Sequence, residues 1–317
     1  MSATSHQDTA RVLVGTCNWS DHSDFYPPEY DRADMKAQRI SYYARFFPIV
    51  EVDSTFYRLQ PARNFQLWAE RTPSGFVFNV KAYGEMTWHQ RDDNGKPVEP
   101  RAETFAAFSE MVAPLRKAGK LRAIHFQFPP WFTYSRENLD YLGTVRELLP
   151  DDWLSVEFRH RSWLEGRNCD NTAAALRDHE LAYTVVDQPQ LGSGSVPPVV
   201  LVTNPHLAIF RFHGRNRQTW YAKDLKSSRE RFDYLYSEQE LAEWAPRIAS
   251  VAERLGTSGE VHVLLNNNNR NYAVVNAIDM QRLLGQEPAQ GQPLPEGVRQ
   301  TMAERAAKQS AAEASSL

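Results

Sequence analysis

The sequence predicts an α/β fold, specifically a TIM-like (β/α)₈ barrel of parallel strands with a polar pocket at their C-terminal ends. Three observations carry this. Eight short strand-like runs alternate with mostly helical segments, the pattern of a parallel sheet covered by helices. Polar residues recur on one parity of those runs and apolar residues on the other. A chain of 317 residues also fits one such barrel. Neither GxGxxG nor GxxxxGKS/T occurs, so an open dinucleotide-binding or P-loop sheet lacks its fingerprint.

The elements follow in order. Residues 1–11 read as a flexible tail, residues 12–285 as the barrel and residues 286–317 as a second tail, disordered or forming a surface helix over Met302 to Ala312. Strand one is VLVGTCNW, from Val12 to Trp19. Ile40, Tyr43, Ala44 and Phe47 recur at helical spacing, and Pro48 ends that helix. IVEVDSTF is strand two, and a short helix spans Phe65 to Glu70. FVFNVKA is strand three, followed by a helix from Ala102 to Lys117. AIHFQFPPWF is strand four, stopped by Pro129 and Pro130. Leu139, Leu142, Val145 and Leu149 mark the next helix. LSVEFRHRSW is strand five and its exit, and Asn171 to Asp178 reads as helix. LAYTVVDQP is strand six and AIFRFHGRN strand seven. Leu241, Trp244, Ala245, Ile248 and Leu255 form an amphipathic stripe. VHVLLNNNNRN is strand eight with its loop, before a last helix over Tyr272 to Leu284.

Residues two apart in a strand share a face. The polar face holds Thr16 and Asn18, Glu51 and Asp53, Asn79 and Lys81, and His125 and Gln127. It continues with Glu157 and Arg159, Asp187, Arg211 and His213, and Asn266. Strand seven is irregular, because Ile209 shares parity with Arg211, and a strand shift is expected there. Covering helices need an apolar partner, so the polar set is expected to face inward. Enzymes of this architecture keep their chemistry at that end. Trp19, Tyr57, Trp88, Trp131, Trp163 and Trp220 follow strand ends and could form a stacking ring. Arg215 and the asparagine run at Asn266 and Asn267 stand where such barrels bind phosphate. His89, His179 and His206 read as loop residues, and the charge runs Arg91–Asp93 and Lys226–Arg231 as solvated loops.

At GTCNWSD, FFPIVEVDSTFYRL, FVFNVKAYGEMTW, FQFPPWF, VEFRHRSW, FRFHGRN and NNNNRNYAVVNA the chain resembles the YecE-like family, also called domain of unknown function 72. The resemblance covers residues 12–285. It implies a TIM-like barrel with a polar C-terminal pocket and no particular reaction. Two departures stand out. Asn18 replaces the usual glycine before Trp19. In the last motif Asn268 stands at the usual histidine and Asn271 at the usual glycine. Asparagine can adopt a left-handed backbone but cannot serve as an acid–base group.

Composition bounds the function. The net charge of -3 argues against non-specific polyanion binding by the whole surface. The two cysteines, Cys17 and Cys169, form no CxxC, which fits a reducing compartment and offers no thiolate metal site. The polar start lacks a signal-peptide core, and no apolar run approaches the ~20 residues of a membrane span. A cytoplasmic protein without membrane attachment is expected.

The first functional expectation is an enzyme, of hydrolase or lyase type, acting on a small phosphorylated or other anionic, nucleotide- or sugar-like substrate. Glu157 would be the acid or base, with His213 its partner and Lys81 a third catalytic group. Lys81, Arg159, Arg211 and Arg215 would hold the anion. Asn18, Trp19, Asp53, Tyr57, Gln127, His160, Trp163, Asp187, Trp220, Asn266 and Asn267 complete the substrate-binding set. The alternatives are nucleic-acid binding or phosphodiester cleavage in the same pocket, and a non-catalytic ligand-binding protein. No cofactor is expected. A divalent metal on Asp53, Glu157, Asp187 and His213 is a secondary reading, opposed by the nearby Lys and Arg and by the lack of HxH or HExxH spacing.

Overall fold

The computed structural model describes residues 9–314 apart from 223 and 226. In chain order the elements are β1 (Arg11–Thr16), α1 (Arg39–Tyr43), β2 (Ile49–Val52), α2 (Ala62–Glu70), β3 (Val77–Lys81), α3 (Ala102–Lys117), β4 (Leu121–Gln127) and α4 (Arg136–Leu148). Then come β5 (Leu154–Glu157), α5 (Arg167–Asp178), β6 (Leu181–Asp187), β7 (Leu207–Phe212), α6 (Glu238–Ala242), α7 (Ala245–Leu255), β8 (Glu260–Leu265), α8 (Tyr272–Leu283) and α9 (Glu296–Ala314). The eight strands close into a barrel in sequence order, and β8 pairs with β1 in parallel. Most of the expected first tail, and Lys226 of the second charge run, lie outside the described residues.

Alternation along the strands builds two cores. Val50, Phe78, Val80, Ile124, Phe126, Val156, Phe210 and Val263 point outward and pack against the helices in one cluster. Leu13, Ile49, Val77, Ala123, Ala182, Leu207, Ile209 and Leu264 fill the barrel from its N-terminal end. β7 therefore needs no strand shift: Ile209, Arg211 and His213 share the inner face, and the apolar residue simply lies one layer deeper. Gly15 is required where β1 meets β2, since a Cβ there would stand 2.1 Å from the Ile49 carbonyl oxygen.

The helices end as their sequences direct. Ser135 caps α4 by accepting from the Asn138 N–H at 3.2 Å. Ser237 and Glu240 form a reciprocal capping box on α6. α7 buries Ile248, Val251, Ala252 and Leu255 and stops at Gly256, whose φ is 63°. The stretch 286–317, expected outside the core, contributes Val298 of α9 to it. Arg305 of α9 binds Asp279 on α8 and the Tyr236 carbonyl oxygen. No helix among the described residues is long and apolar enough to cross a membrane.

The register delivers the polar layer. Glu51 pairs beside Asn79, Lys81 beside His125, Gln127 beside Glu157, and Val186 beside Arg211. Two strands depart from the expected parity. In β1 the inward residue is Cys17, whereas Thr16 hydrogen-bonds the Tyr43 hydroxyl outside the barrel at 2.9 Å. In β6, Asp187 pairs with outward-facing Phe212, so it too points away from the interior.

Candidate functional site

At the C-terminal end the strands open into a cavity of about 770 Å³. Its wall includes Asn18, Asp53, Tyr57, Lys81, His89, Gln127, Trp131, Arg159, Arg211, Trp220, Tyr221, Arg231, Asn266 and Asn268. These residues come from the ends of most of the strands, so the barrel brings together positions far apart in sequence.

A saturated carboxylate lies beneath the cavity. Glu157 Oε1 is 2.6 Å from Arg159 Nε and 3.1 Å from His213 Nε2, and its Oε2 is 2.5 Å from Arg211 Nη1 and 3.5 Å from His125 Nε2. Burial alone would raise its pKa, but Arg159, Arg211 and His213 outweigh that and hold it well below the usual range. Glu51 sits 2.7 Å from Arg211 Nη2. Burial would raise it too, yet Arg211, His125 and Lys81 keep it below its ordinary value. His213 Nδ1 lies 2.8 Å from Asn266 Nδ2, and its Nε2 lies 3.1 Å from Glu157 Oε1 and 3.2 Å from Arg159 Nη2. Burial, then Arg159, depress its pKa to about 3. Glu157 and His213 are fully buried and neither lines the cavity. The expected acid–base pair therefore has no open face towards a substrate.

The cavity wall differs. Gln127 Oε1, a neutral oxygen, accepts from Lys81 Nζ at 3.2 Å, Arg159 Nη2 at 3.1 Å and Arg211 Nη1 at 3.4 Å. Arg159 also donates to Gln188 Oε1 at 3.3 Å and lies over the Trp220 ring. Lys81 Nζ stands 4.5 Å from the Phe56 ring centroid and makes no ion pair among the described residues. Its pKa falls to about 8, first through burial and then through Arg211, partly offset by Glu51 and Glu157. Burial raises Asp53 to about 7, with Lys81 opposing and Glu51 adding to the shift. Two groups that titrate near neutrality thus line one cavity.

Several expected site residues lie elsewhere. Asp187 accepts from Arg215 at 2.7 Å, the Tyr236 hydroxyl at 2.7 Å and Trp244 Nε1 at 2.9 Å. Arg215 is further tied to Glu240, so it is neutralised outside the cavity and not available to an anion there. Trp163 is fully buried, stacked on Phe158 at 4.1 Å with its Nε1 donating to the Phe132 carbonyl. Trp19 packs edge-on against Trp68 at 4.9 Å. His160 caps a 3₁₀ turn by accepting from the Ser162 N–H. Asn267 donates to the Tyr234 carbonyl and to Asn276 Oδ1. The left-handed residue of the last motif is Arg270, with φ 51°; Asn271 has φ −108° and ties α9 down through Gly297 and Thr301.

Other cavity residues were not expected. His89, Arg231, Tyr221 and Asn268 line it, and Gln188 supports Arg159. His89 is held neutral, its pKa depressed to about 3 by burial and then by Lys81 and Arg159. Gln188 had no usable signal, because the inward reading of Asp187 put the next residue on the opposite face. His89, Tyr221 and Arg231 lie on long loops where no periodicity reports direction. Among the described residues no group of three or more His, Cys, Asp and Glu is placed to hold a metal ion. Of the four residues in the secondary metal reading, Glu157 and His213 lie 3.1 Å apart, but Glu157 is enclosed by Arg159 and Arg211, and Asp187 faces outward.

The family described as "Protein of unknown function DUF72" matches residues 13–299. The UPF0759 protein YunF of Bacillus subtilis (strain 168) is 38% identical over 275 residues, covering 86% of this chain and 94% of that protein. A crystal structure of a DUF72 family protein from Enterococcus faecalis V583 is similar at TM-score 0.77 and 29% identity, over 87% of this chain and 96% of the other. One from Thermotoga maritima MSB8 is similar at TM-score 0.73 and 33% identity, over 87% and 100%. The chain belongs to the DUF72 family, and its barrel is of a kind found in many enzyme families.

Proposed function

We propose that this member of the DUF72 family is an enzyme of hydrolase or lyase type whose cavity binds a small phosphorylated or otherwise anionic, nucleotide- or sugar-like substrate. The observation that supports this best is the convergence of Lys81, Arg159 and Arg211 on the neutral Gln127 oxygen. Counting only these three cations against Glu51 and Glu157 leaves one positive charge in excess, beside Asp53. An anion entering there would meet Lys81 and Arg159 donors at low dielectric, where charge-assisted bonds are strongest.

In this reading the anion rests on Lys81 and Arg159. Asp53, with a pKa near neutrality, gives or takes the proton at the reacting bond. Asn18 and Asn266 orient neutral groups. Glu157 and Glu51 keep the arginines in place, and His213 transmits Asn266 to Glu157 without titrating at neutral pH.

Calorimetry with sulfate and inorganic phosphate tests the binding half. Wild type is expected to bind both, and Lys81→Met to lose both while keeping its fold. Incubation with a panel of phosphorylated sugars and nucleotides, followed by mass spectrometry, tests the chemistry. Turnover by wild type and not by Asp53→Asn is expected. Ligand binding without turnover of any panel member would reduce the protein to a binder.

A further inference from the structure

Three large aromatic residues stand exposed around the cavity mouth: Tyr57 at 73%, Trp131 at 49% and Tyr221 at 52%. Scattered exposed aromatics need no explanation, but a group around one opening marks a contact surface. Trp131 is also held still. It follows Pro129 and Pro130, whose φ angles are locked. Its Nε1 donates to the Trp88 carbonyl oxygen at 3.1 Å. Trp88 has φ 60°, a left-handed backbone that a bulky side chain rarely adopts. The Arg91 guanidinium lies 4.7 Å from the Trp131 ring centroid. A strained carbonyl and a stacked cation thus fix an indole ring that still leaves half its surface open.

Lys81 and Arg159 lie in the same cavity as this ring. We infer that the ligand is a mononucleotide, its phosphate on Lys81 and Arg159 and its planar base on Trp131 and Tyr57. This rests on the anionic-substrate reading above and narrows it. A planar base covers more of an indole face than a sugar ring does, and comparing ribose 5-phosphate with AMP separates the two. A nucleic-acid strand is disfavoured by the net charge of -3 and by Asp21 on the same wall.

Calorimetry with inorganic phosphate, ribose 5-phosphate, AMP and UMP separates the parts. AMP is expected to bind roughly tenfold or more tightly than ribose 5-phosphate, the effect of one base on an aromatic platform. Trp131→Ala should remove that advantage and change ribose 5-phosphate affinity less than about twofold, whereas Trp131→Tyr, which keeps a stacking face, should retain much of it. Lys81→Met should weaken all four ligands. If ribose 5-phosphate binds as tightly as AMP and UMP, the stacking inference fails and the anion site stands. If none of the four binds, both fail. If a short oligonucleotide binds with steep salt dependence and the mononucleotides do not, the mouth takes a strand and the inference is overturned.

Discussion

Two carboxylates a short way apart in one barrel have opposite environments. Glu157 lies under the cavity with Arg159, Arg211 and two histidines around it. Asp53 lies on the cavity wall, half-buried, with Lys81 as its main opposing charge. The first is held ionised and spends both oxygens on neighbours; the second is pushed towards neutrality. A polar barrel interior therefore contains two regions. The lower one pairs its charges and fixes geometry, although Glu51 Oε2, Asn79 Oδ1 and Arg211 Nε keep no hydrogen-bond partner among the described residues. The upper one leaves Lys81 without a carboxylate partner among the described residues. Polarity and sequence position do not distinguish them; partner count does.

The comparison breaks most visibly at Glu157. Glu157→Gln leaves Arg159 and Arg211 short of a counter-charge, and breaking a buried pair of this kind costs ~3–5 kcal/mol. Differential scanning calorimetry should show a Tm lower by roughly 6–15 °C. An unchanged Tm would mean that Glu157 does not hold the two arginines in place.

The two tryptophans after neighbouring strands give a second contrast. Trp163→Ala opens a hole in the Phe132–Phe158 stack and should cost ~3–5 kcal/mol, with sulfate binding retained in the folded fraction. Trp131→Ala, half exposed, should cost less than ~1 kcal/mol. Denaturant titration of both variants reads the difference, and equal losses would contradict it.

A smaller effect has the opposite sign. Lys81 has its pKa depressed from 10.5 to about 8, so its contribution to stability is present above pH 10.5 and is lost as pH falls through about 8. Asp53 is raised from 3.8 to about 7, so its contribution is present below pH 3.8 and is lost as pH rises through about 7. Both groups oppose folding at pH 7 to 8. Lys81→Met and Asp53→Asn should each raise the Tm by about 1–3 °C, the first while impairing anion binding and the second while impairing turnover, a trade typical of functional sites. A lowered Tm in both would mark them as structural.

The smallest effect is a pH profile. Sulfate keeps its charge between pH 6 and 9, so any change in affinity reports the protein. Affinity should fall as Asp53 ionises through about 7 and again as Lys81 deprotonates through about 8. Asp53→Asn should remove the lower inflection alone. A flat profile would exclude both groups from the site.

Much of this was legible from the strands. A period of two fixed the inward direction of Glu51, Lys81, Gln127, Glu157, Arg159 and Arg211, and the barrel follows from their alternation with helices. Parity misled where a strand began or ended out of phase with its neighbours, as at Thr16 and Asp187. Loop residues carry no such period. Trp163 and Trp131 look equivalent in sequence, yet a 3₁₀ turn folds the first under the loop while Pro129 and Pro130 carry the second to the rim. Nor does sequence reveal how many carboxylates a cation meets, and that is what separates Arg159, paired with Glu157, from Arg215, held by Asp187, Glu240 and Glu243.

The position of a bound anion tests the division most directly. In crystals soaked with selenate, an anomalous selenium peak is expected within hydrogen-bonding distance of Lys81 Nζ and an Arg159 Nη atom, above Gln127. A fully occupied peak at Arg215 or elsewhere on the surface, with the Lys81 site lacking selenium, would contradict it.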